Sequence, residues 1–255
     1  MEKLLQEIDD LKHKLDSLRP LTDAQVKNLK TLFDIDFTFN STAIEGNTLT
    51  LNETKLVLLE GITIGGKSTR EHLEIINHKE AIDYIEKLAV KKPSEITPSD
   101  IFGIHNIILR SIDSENAGIY RRVPVYVKKK DNSIFKFPDP LKIYDLMSEF
   151  FEWFTSNRDS HPVLFAVEAH TRFVSIHPFT DGNGRTARLI LNLLLFQFGF
   201  PPAVIKISER AKYLDAIDEW DRNGNIIPIA TLVAHCVKES LSLYIETIEK
   251  KIIWK

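Results

Sequence analysis

Cysteine is nearly absent from this chain of 255 residues: Cys236 stands alone, so no internal disulfide can form, which fits a reducing compartment. Basic charge is not in excess either. A net charge of -3 leaves no electrostatic footprint for nucleic acid, and no polybasic run marks a membrane surface. Long apolar runs are also missing. The longest, 189–200, is interrupted by Asn192 and Gln197 and is too short to span a bilayer. The first ten residues are too charged for a secretory leader. Repeats and low-complexity segments do not occur, and strand-like runs are too few for a parallel sheet. The expectation is a cytoplasmic protein with no nucleic-acid and no membrane partner, built as one large or two modest domains with ample core.

What is there concentrates at His177-Pro178-Phe179-Thr180-Asp181-Gly182-Asn183-Gly184-Arg185-Thr186-Ala187-Arg188. This stretch reads as a loop feeding a helix, since 189–198 is almost wholly apolar and stops at Gly199. A helix apolar on nearly every side belongs in a core. At its start the glycines let backbone amides face an anion, and the positive end of the helix dipole adds to them. Arg185 and Arg188 fall on one side of the helix and suit a polyphosphate. Asp181 offers a hard carboxylate oxygen for Mg²⁺, and His177 can take a proton near neutral pH. Helix caps alone do not call for a His, two Gly and two Arg at fixed offsets. The constellation points to nucleotide transfer.

The stretch resembles the signature of the Fic family, His-Pro-Phe-x-(Asp/Glu)-Gly-Asn-(Gly/Lys)-Arg-x-x-Arg, with no departure at a fixed position. The resemblance implies an all-α Fic fold, a helical bundle around a buried central helix with one short β-hairpin flap. It also implies transfer of AMP from ATP to a protein hydroxyl, with Mg²⁺ or Mn²⁺ as the metal. His177 would be the base and Asp181 the metal ligand. Gly182, Asn183 and Gly184 would receive the phosphates, Arg185 the β-phosphate and Arg188 the γ-phosphate. Thr186 and Ala187 complete the implied nucleotide-binding run.

A second segment, Ser41-Thr42-Ala43-Ile44-Glu45-Gly46-Asn47, places a carboxylate among small and apolar residues just before a Gly-Asn helix stop. Alone, Glu45 would be an ordinary helix carboxylate. Beside the first motif it resembles the family's inhibitory motif, (Ser/Thr)-x-x-x-Glu-(Gly/Asn), through Ser41, Glu45 and Gly46. The resemblance implies that Glu45 reaches Arg188 and obstructs the γ-phosphate.

One rival match is complete. Gly61-Ile62-Thr63-Ile64-Gly65-Gly66-Lys67-Ser68 fits the phosphate-loop pattern G-x-x-x-x-G-K-S. Such a loop needs a strand before it and a second apolar strand ending in Asp for Mg²⁺. The capping box Thr50-Leu51-Asn52-Glu53 instead announces a helix before the match, and Ser68-Thr69-Arg70-Glu71 announces another after it. A turn between helices is the reading.

Elsewhere, Leu4, Ile8, Leu11, Leu15 and Leu18 form a short heptad seam ended by Pro20. It could pair with a second copy of the chain as a homodimer, or lie on its own fold. A second helix follows from Thr22, with Val26, Leu29, Leu32 and Phe33 on one side. Thr97-Pro98 opens a helix through Arg110. Val123, Val125 and Val127, a polar turn at 128–133, and 134–137 make the one convincing hairpin, with Pro124 marking an edge. In Fic proteins a flap here holds the target segment, so Val125, Tyr126 and Val127 are the implied docking contacts for a protein substrate. Phe150, Phe151, Trp153 and Phe154 are expected in the core, and His170 as a hydrogen-bonded core histidine. His161, His170 and His177 lack the spacing of a zinc site. Family resemblance further implies an adenine site around Tyr213 and Leu214, with Asp221 near the position where Fic enzymes carry Asn.

The expected division is N-terminal helices over 1–40, an inhibitory helix and helical extension over 41–92, a Fic core over 93–240, and a helix end over 241–255. The leading function is a self-inhibited protein AMPylase acting on a Tyr, Thr or Ser hydroxyl, with AMP removal as a second direction of the same site. The alternatives are a phosphate-loop NTPase using 61–68, and a nucleotide-binding protein locked by Glu45 that performs no transfer.

Overall fold

The computed structural model describes residues 1–128, 132–156 and 160–252. Helices begin where the sequence supplies caps. Thr22 with Gln25, Thr50 with Glu53, Ser68 with Glu71, and Thr97 with Asp100 each form a reciprocal capping box. These open α2 (Asp23–Ile44), α3 (Leu51–Glu60), α4 (Thr69–Leu88) and α5 (Pro98–Leu109). They follow α1 (Glu2–Ser17) and precede a hairpin of β1 (Tyr126–Lys128) and β2 (Ile134–Lys136). Then come α6 (Ile143–Ser156), α7 (Pro162–Ile176), α8 (Asn183–Gln197), α9 (Arg210–Asn223) and α10 (Ile227–Glu249).

The apolar stretch after the motif becomes α8, whose residues 185–195 are all buried. Helices α7, α4 and α5 pack around it, and α2 touches it. Because α8 is enclosed, its N-terminus has a fixed position relative to all of these neighbours. Past its C-terminus, Asn192 reaches from the helix to the buried segment that follows. Its Oδ1 accepts the Ala203 N–H at 2.7 Å, and its Nδ2 donates to the carbonyls of Ala203 (3.2 Å) and Arg188 (3.0 Å).

The α1 seam lies on α10 of the same chain, with Ile8 and Leu15 buried. Leu4, Leu11 and Leu18 are partly buried against the same core. Val26 departs from expectation: it is 49% exposed, while Leu29 and Phe33 of the same helix are buried. Phe150 and Phe154 are core, but Phe151 and Trp153 are only half-buried against it, because α6 lies at the surface. The hairpin is shorter than the valine alternation suggests. Tyr126 pairs with Lys136, Val127 with Phe135 and Lys128 with Ile134, leaving Val123 and Val125 outside β1. Of the expected turn 128–133, residues 129–131 lie outside the described residues. The divisions expected at 40/41 and 240/241 fall inside α2 and α10, whereas 92/93 falls at the break after α4. Among the described residues no helix is long and apolar enough to cross a membrane.

Asn192→Leu should destabilise the chain by about 2–4 kcal/mol, since both backbone groups of Ala203 would be left buried without their partner. Urea unfolding measures this, and a loss below about 1 kcal/mol would mean that water or local shifts replace the amide.

Candidate active site

Helix α7 ends at His177, whose backbone is left-handed with φ 51°. A non-glycine residue there is uncommon and must be held by its surroundings. Arg121, 3% exposed, does much of the holding. Its backbone N–H donates to the Pro178 carbonyl at 2.9 Å and its Nε to the His177 carbonyl at 2.7 Å. Its remaining nitrogens donate to the carbonyls of Val123 (3.1 Å) and Pro138 (2.6 Å) on either side of the hairpin.

The loop from Phe179 to Gly182 is fixed from beneath. Asn183 accepts the Phe179 N–H at 2.9 Å and donates to the Phe179 carbonyl at 2.8 Å. His105 stacks on Phe179, with ring centres 3.6 Å apart. Its Nδ1 accepts the Gly118 N–H (2.9 Å), so Nε2 carries the proton and donates to the Asp181 carbonyl (2.9 Å). Gly182 has φ 77°, and a Cβ there would press on His105 Nε2 at 3.3 Å. Only glycine fits without strain.

The His177 imidazole is itself sandwiched into place. Phe137 stacks on it at 3.7 Å and 19°, and Nδ1 lies 3.3 Å from the Val174 carbonyl. Burial, the largest influence, lowers its pKa to about 4, with Arg121 acting the same way against the pull of the Val174 carbonyl, Glu45 and Asp181. At neutral pH the ring is thus uncharged. The Val174 carbonyl accepts a hydrogen bond from Nδ1–H, leaving Nε2 with a free lone pair, the state of a general base.

The first-turn amides of α8 have no intrahelical acceptors. Arg185 lies beside them, 2% exposed. Its Nη2 is 3.4 Å from Asp181 Oδ1, and its Nη1 is 3.8 Å from Glu74 Oε1. Among the described residues, Arg185 Nε and Nη1 have no hydrogen-bond acceptor. Buried guanidinium donors left open in this way favour an incoming anion.

Arg188, one turn further in and 2% exposed, is engaged through all three of its nitrogens. Nε donates to Ser41 Oγ (3.0 Å), Nη2 to the Ser41 carbonyl (2.7 Å) and to Glu45 Oε1 (2.8 Å), and Nη1 to the Tyr213 hydroxyl (3.3 Å). Glu45 is the C-cap of α2, and a Cβ added to Gly184 would collide with its Oε1. A carboxylate of the chain thus sits over the N-terminus of α8, where an anion is favoured.

The matching family model is described as Fic/DOC family and covers residues 95–195. A Fic domain containing signaling protein from Bacteroides thetaiotaomicron superimposes with a TM-score of 0.90 at 30% identity, over 98% of this chain and 99% of that one. The chain belongs to the Fic/DOC family. Fic-1 from C. elegans is similarly related, with a TM-score of 0.83 and 31% identity over 96% of this chain and 71% of that one. Curated relatives named protein adenylyltransferase Fic include those of Culex quinquefasciatus (37% identical) and Nematostella vectensis (34%), each matched over 96% of this chain. The match takes in 48% and 56% of those relatives, so the chain spans about half their length.

Within this Fic fold, His177, Asp181, Gly182, Gly184, Arg185 and Arg188 converge with Ser41 and Glu45 around the start of α8. Gly46 follows with φ 105°, and the side chain of Asn47 then ties the end of α2 to α4 by donating to Glu74 Oε2 (2.9 Å). Other expected residues take different places. The Asn183 side chain is turned into the loop, so only its backbone N–H can face a phosphate. Thr186 and Ala187 are completely buried, and the Thr186 N–H is already bonded to the Gly182 carbonyl at 2.9 Å. Tyr213, expected around adenine, is 1% exposed. It lies under Arg188 and also meets His170 Nε2 at 2.8 Å. It supports Arg188 from below, because α9 carries the ring into the core. Leu214 is half-buried against the core, and Asp221 accepts a hydrogen bond from Ser175 Oγ, two residues before His177.

On the flap, Val125 is half-buried, and its carbonyl accepts the Phe137 N–H at 3.2 Å, while Tyr126 and Val127 are exposed in β1. The phosphate-loop match joins α3 to α4 with no strand before it, and the one sheet among the described residues is the two-stranded hairpin. Lys67 donates to the Thr48 carbonyl (2.6 Å) and hydroxyl (3.0 Å), binding neighbouring turns together. That fold lacks the sheet a phosphate loop needs.

A divalent cation would find Asp181 as its carboxylate here, because Glu45 is held by Arg188 and Glu74 is bonded to Arg70 and Asn47. Asp181 is 46% exposed, and no group of three His, Cys, Asp or Glu side chains that could hold a metal exists among the described residues. Burial raises the Asp181 pKa most, but Arg185, the Gly182 amide and Arg70 together outweigh it and hold the group below its ordinary value. An ionised, accessible oxygen donor fits Mg²⁺ or Mn²⁺ of the kind completed by phosphate oxygens and water. Arg121, His105 and Arg70 had no sequence signal, because each acts across a long chain separation.

Burial, the dominant influence, lowers the pKa of His170 to about 3 and that of His105 to about 4, against about 6.5 when unfolded. Folded values below unfolded ones mean that the unfolded chain binds more protons between these limits. The stability they contribute is therefore complete above about pH 6.5 and falls towards pH 4, at about 1.4 kcal/mol per pH unit for each histidine. Urea midpoints measured from about pH 7.5 to 5 should drop in this window. A flat profile would contradict buried, neutral imidazoles.

Proposed function

We propose that this Fic protein is a self-inhibited protein adenylyltransferase, moving AMP from ATP to a Tyr, Thr or Ser hydroxyl of another protein. The observation that carries the reading is the neutral His177 imidazole beside a helix N-terminus with an already-seated carboxylate and a buried arginine with unused donors. The names of the curated relatives support the same activity.

ATP would lay its phosphates over the amides of Asn183, Gly184 and Arg185, with Arg185 on the β-phosphate. Arg188 would take the γ-phosphate once Glu45 withdraws. A target segment extended along the flap at Val125, Tyr126 and Val127 would bring its hydroxyl to His177. Nε2 takes the hydroxyl proton, the oxygen attacks the α-phosphorus, and the bond to the β-phosphate oxygen breaks to release pyrophosphate. Mg²⁺ or Mn²⁺ at Asp181, when bound, would neutralise phosphate charge. Positioning and preorganised charge supply most of the acceleration.

Labelling with ATP carrying its label on the α-phosphate tests this. His177→Ala should lose transfer by about a hundredfold or more while retaining ATP affinity, because the base is gone and the anion site remains. Labelling by His177→Ala at the parent rate would remove the proposed base.

Glu45→Gly tests the inhibitory reading. A charge-assisted hydrogen bond of this kind contributes roughly 1–3 kcal/mol, towards the low end for a side chain that is 40% exposed. Its loss should raise transfer about fivefold to a hundredfold. Adding Arg188→Ala should cancel much of the gain. If Glu45→Gly labels no faster than the parent at saturating ATP and Mg²⁺, Glu45 does not restrain this site.

A further inference from the structure

Arg70 stands in the first turn of α4 and reaches across to the catalytic loop. Its Nη2 lies 2.8 Å from Asp181 Oδ2, and its Nε lies 3.2 Å from Glu74 Oε1. Arg185 faces the same carboxylates from the other side, 3.4 Å from Asp181 Oδ1 and 3.8 Å from Glu74 Oε1. Two guanidiniums and two carboxylates therefore alternate in a closed ring.

The members of this ring differ in freedom. Arg185 is enclosed in α8, whereas the Arg70 side chain is 56% exposed and can swing into solvent. The oxygens of Asp181 differ as well. Oδ1 accepts the Gly182 N–H at 2.6 Å and faces Arg185. Oδ2 is the oxygen available to an incoming cation, and Arg70 holds it. One oxygen cannot serve a guanidinium and a divalent ion in the same direction, and the two positive charges repel at this range.

We propose that Arg70 is a displaceable stand-in for the divalent cation, holding Asp181 Oδ2 until nucleotide and metal arrive and competing with the metal for that oxygen. This rests on the nucleotide-binding reading above. Displacement leaves Arg70 with a partner, since its Nε remains on Glu74. An ion pair this exposed is weak, so it competes with the metal without locking it out. In the interim it keeps Asp181 oriented. Arg70 is thus a positioning residue whose removal should tighten metal binding, the opposite of what loss of an ordinary structural contact would do.

The experiment measures Mn²⁺ binding to the full chain by electron paramagnetic resonance of the free ion, with saturating α,β-methylene-ATP as the nucleotide probe. Arg70→Gln should bind Mn²⁺ about two- to tenfold more tightly than the parent. Arg70→Lys, which keeps the charge, should stay near the parent. Affinity for the metal-free analogue should be unchanged in both variants. Unchanged or weaker Mn²⁺ binding by Arg70→Gln, with a parent-like circular dichroism spectrum, overturns the proposal. Weaker binding of the metal-free analogue also overturns it, by making Arg70 a phosphate ligand. A parent chain that binds no analogue, with or without Mn²⁺, defeats the nucleotide reading itself and the stand-in with it. That outcome is distinct from one in which the analogue binds and Arg70 makes no difference.

Discussion

A guanidinium buried inside a helical core must be partnered on every side or it costs several kcal/mol. Arg188 meets that demand with groups from two other elements: Ser41 and Glu45 at the end of α2, and Tyr213 on α9. The requirement is mutual. The end of α2 and the start of α8 are pinned to each other because one residue needs both. Glu45 reaches the anion site through this attachment, so the contact proposed to inhibit is also a contact that satisfies a buried charge. Any nucleotide that removes Glu45 must leave Arg188 with a phosphate oxygen in exchange.

Around this attachment the loop 177–182 is over-determined. Arg121 holds the carbonyls of His177 and Pro178, Asn183 holds both backbone groups of Phe179, and His105 holds the Asp181 carbonyl. These contacts come from α8 itself, from α5 and from the segment before the flap. The left-handed backbone at His177 persists because these independent restraints agree on it.

Much of this was legible in the sequence, and the boundary follows range. Capping boxes act within four residues, so Thr22, Thr50, Ser68 and Thr97 announce their helices reliably. The offsets from His177 to Arg188 lie within one loop and the first two turns of helix, and the motif therefore reads directly as a Fic signature. Contacts closed over long separations leave no such trace. Arg121 bonds to His177, 56 residues away, and Arg70 to Asp181, 111 residues away. Tyr213 illustrates the same limit: its presence is plain, but whether its ring lines an opening or supports Arg188 depends on where α9 packs. Val26 shows that helical periodicity fixes a face without fixing how far the neighbouring element extends to cover it.

Phe137 follows β2 and donates its N–H to the Val125 carbonyl across the base of the hairpin, yet its ring forms one wall around His177. The basicity of the imidazole is set chiefly by its exclusion from water, so it depends on where the hairpin lies. Lifting the flap would wet the ring and raise its proton affinity, turning a neutral acceptor towards an imidazolium. Seating it would dry the ring again. The protonation state of His177 and the posture of the flap are thereby one variable, and a substrate segment docked as proposed would tune the acid–base state of the residue it met.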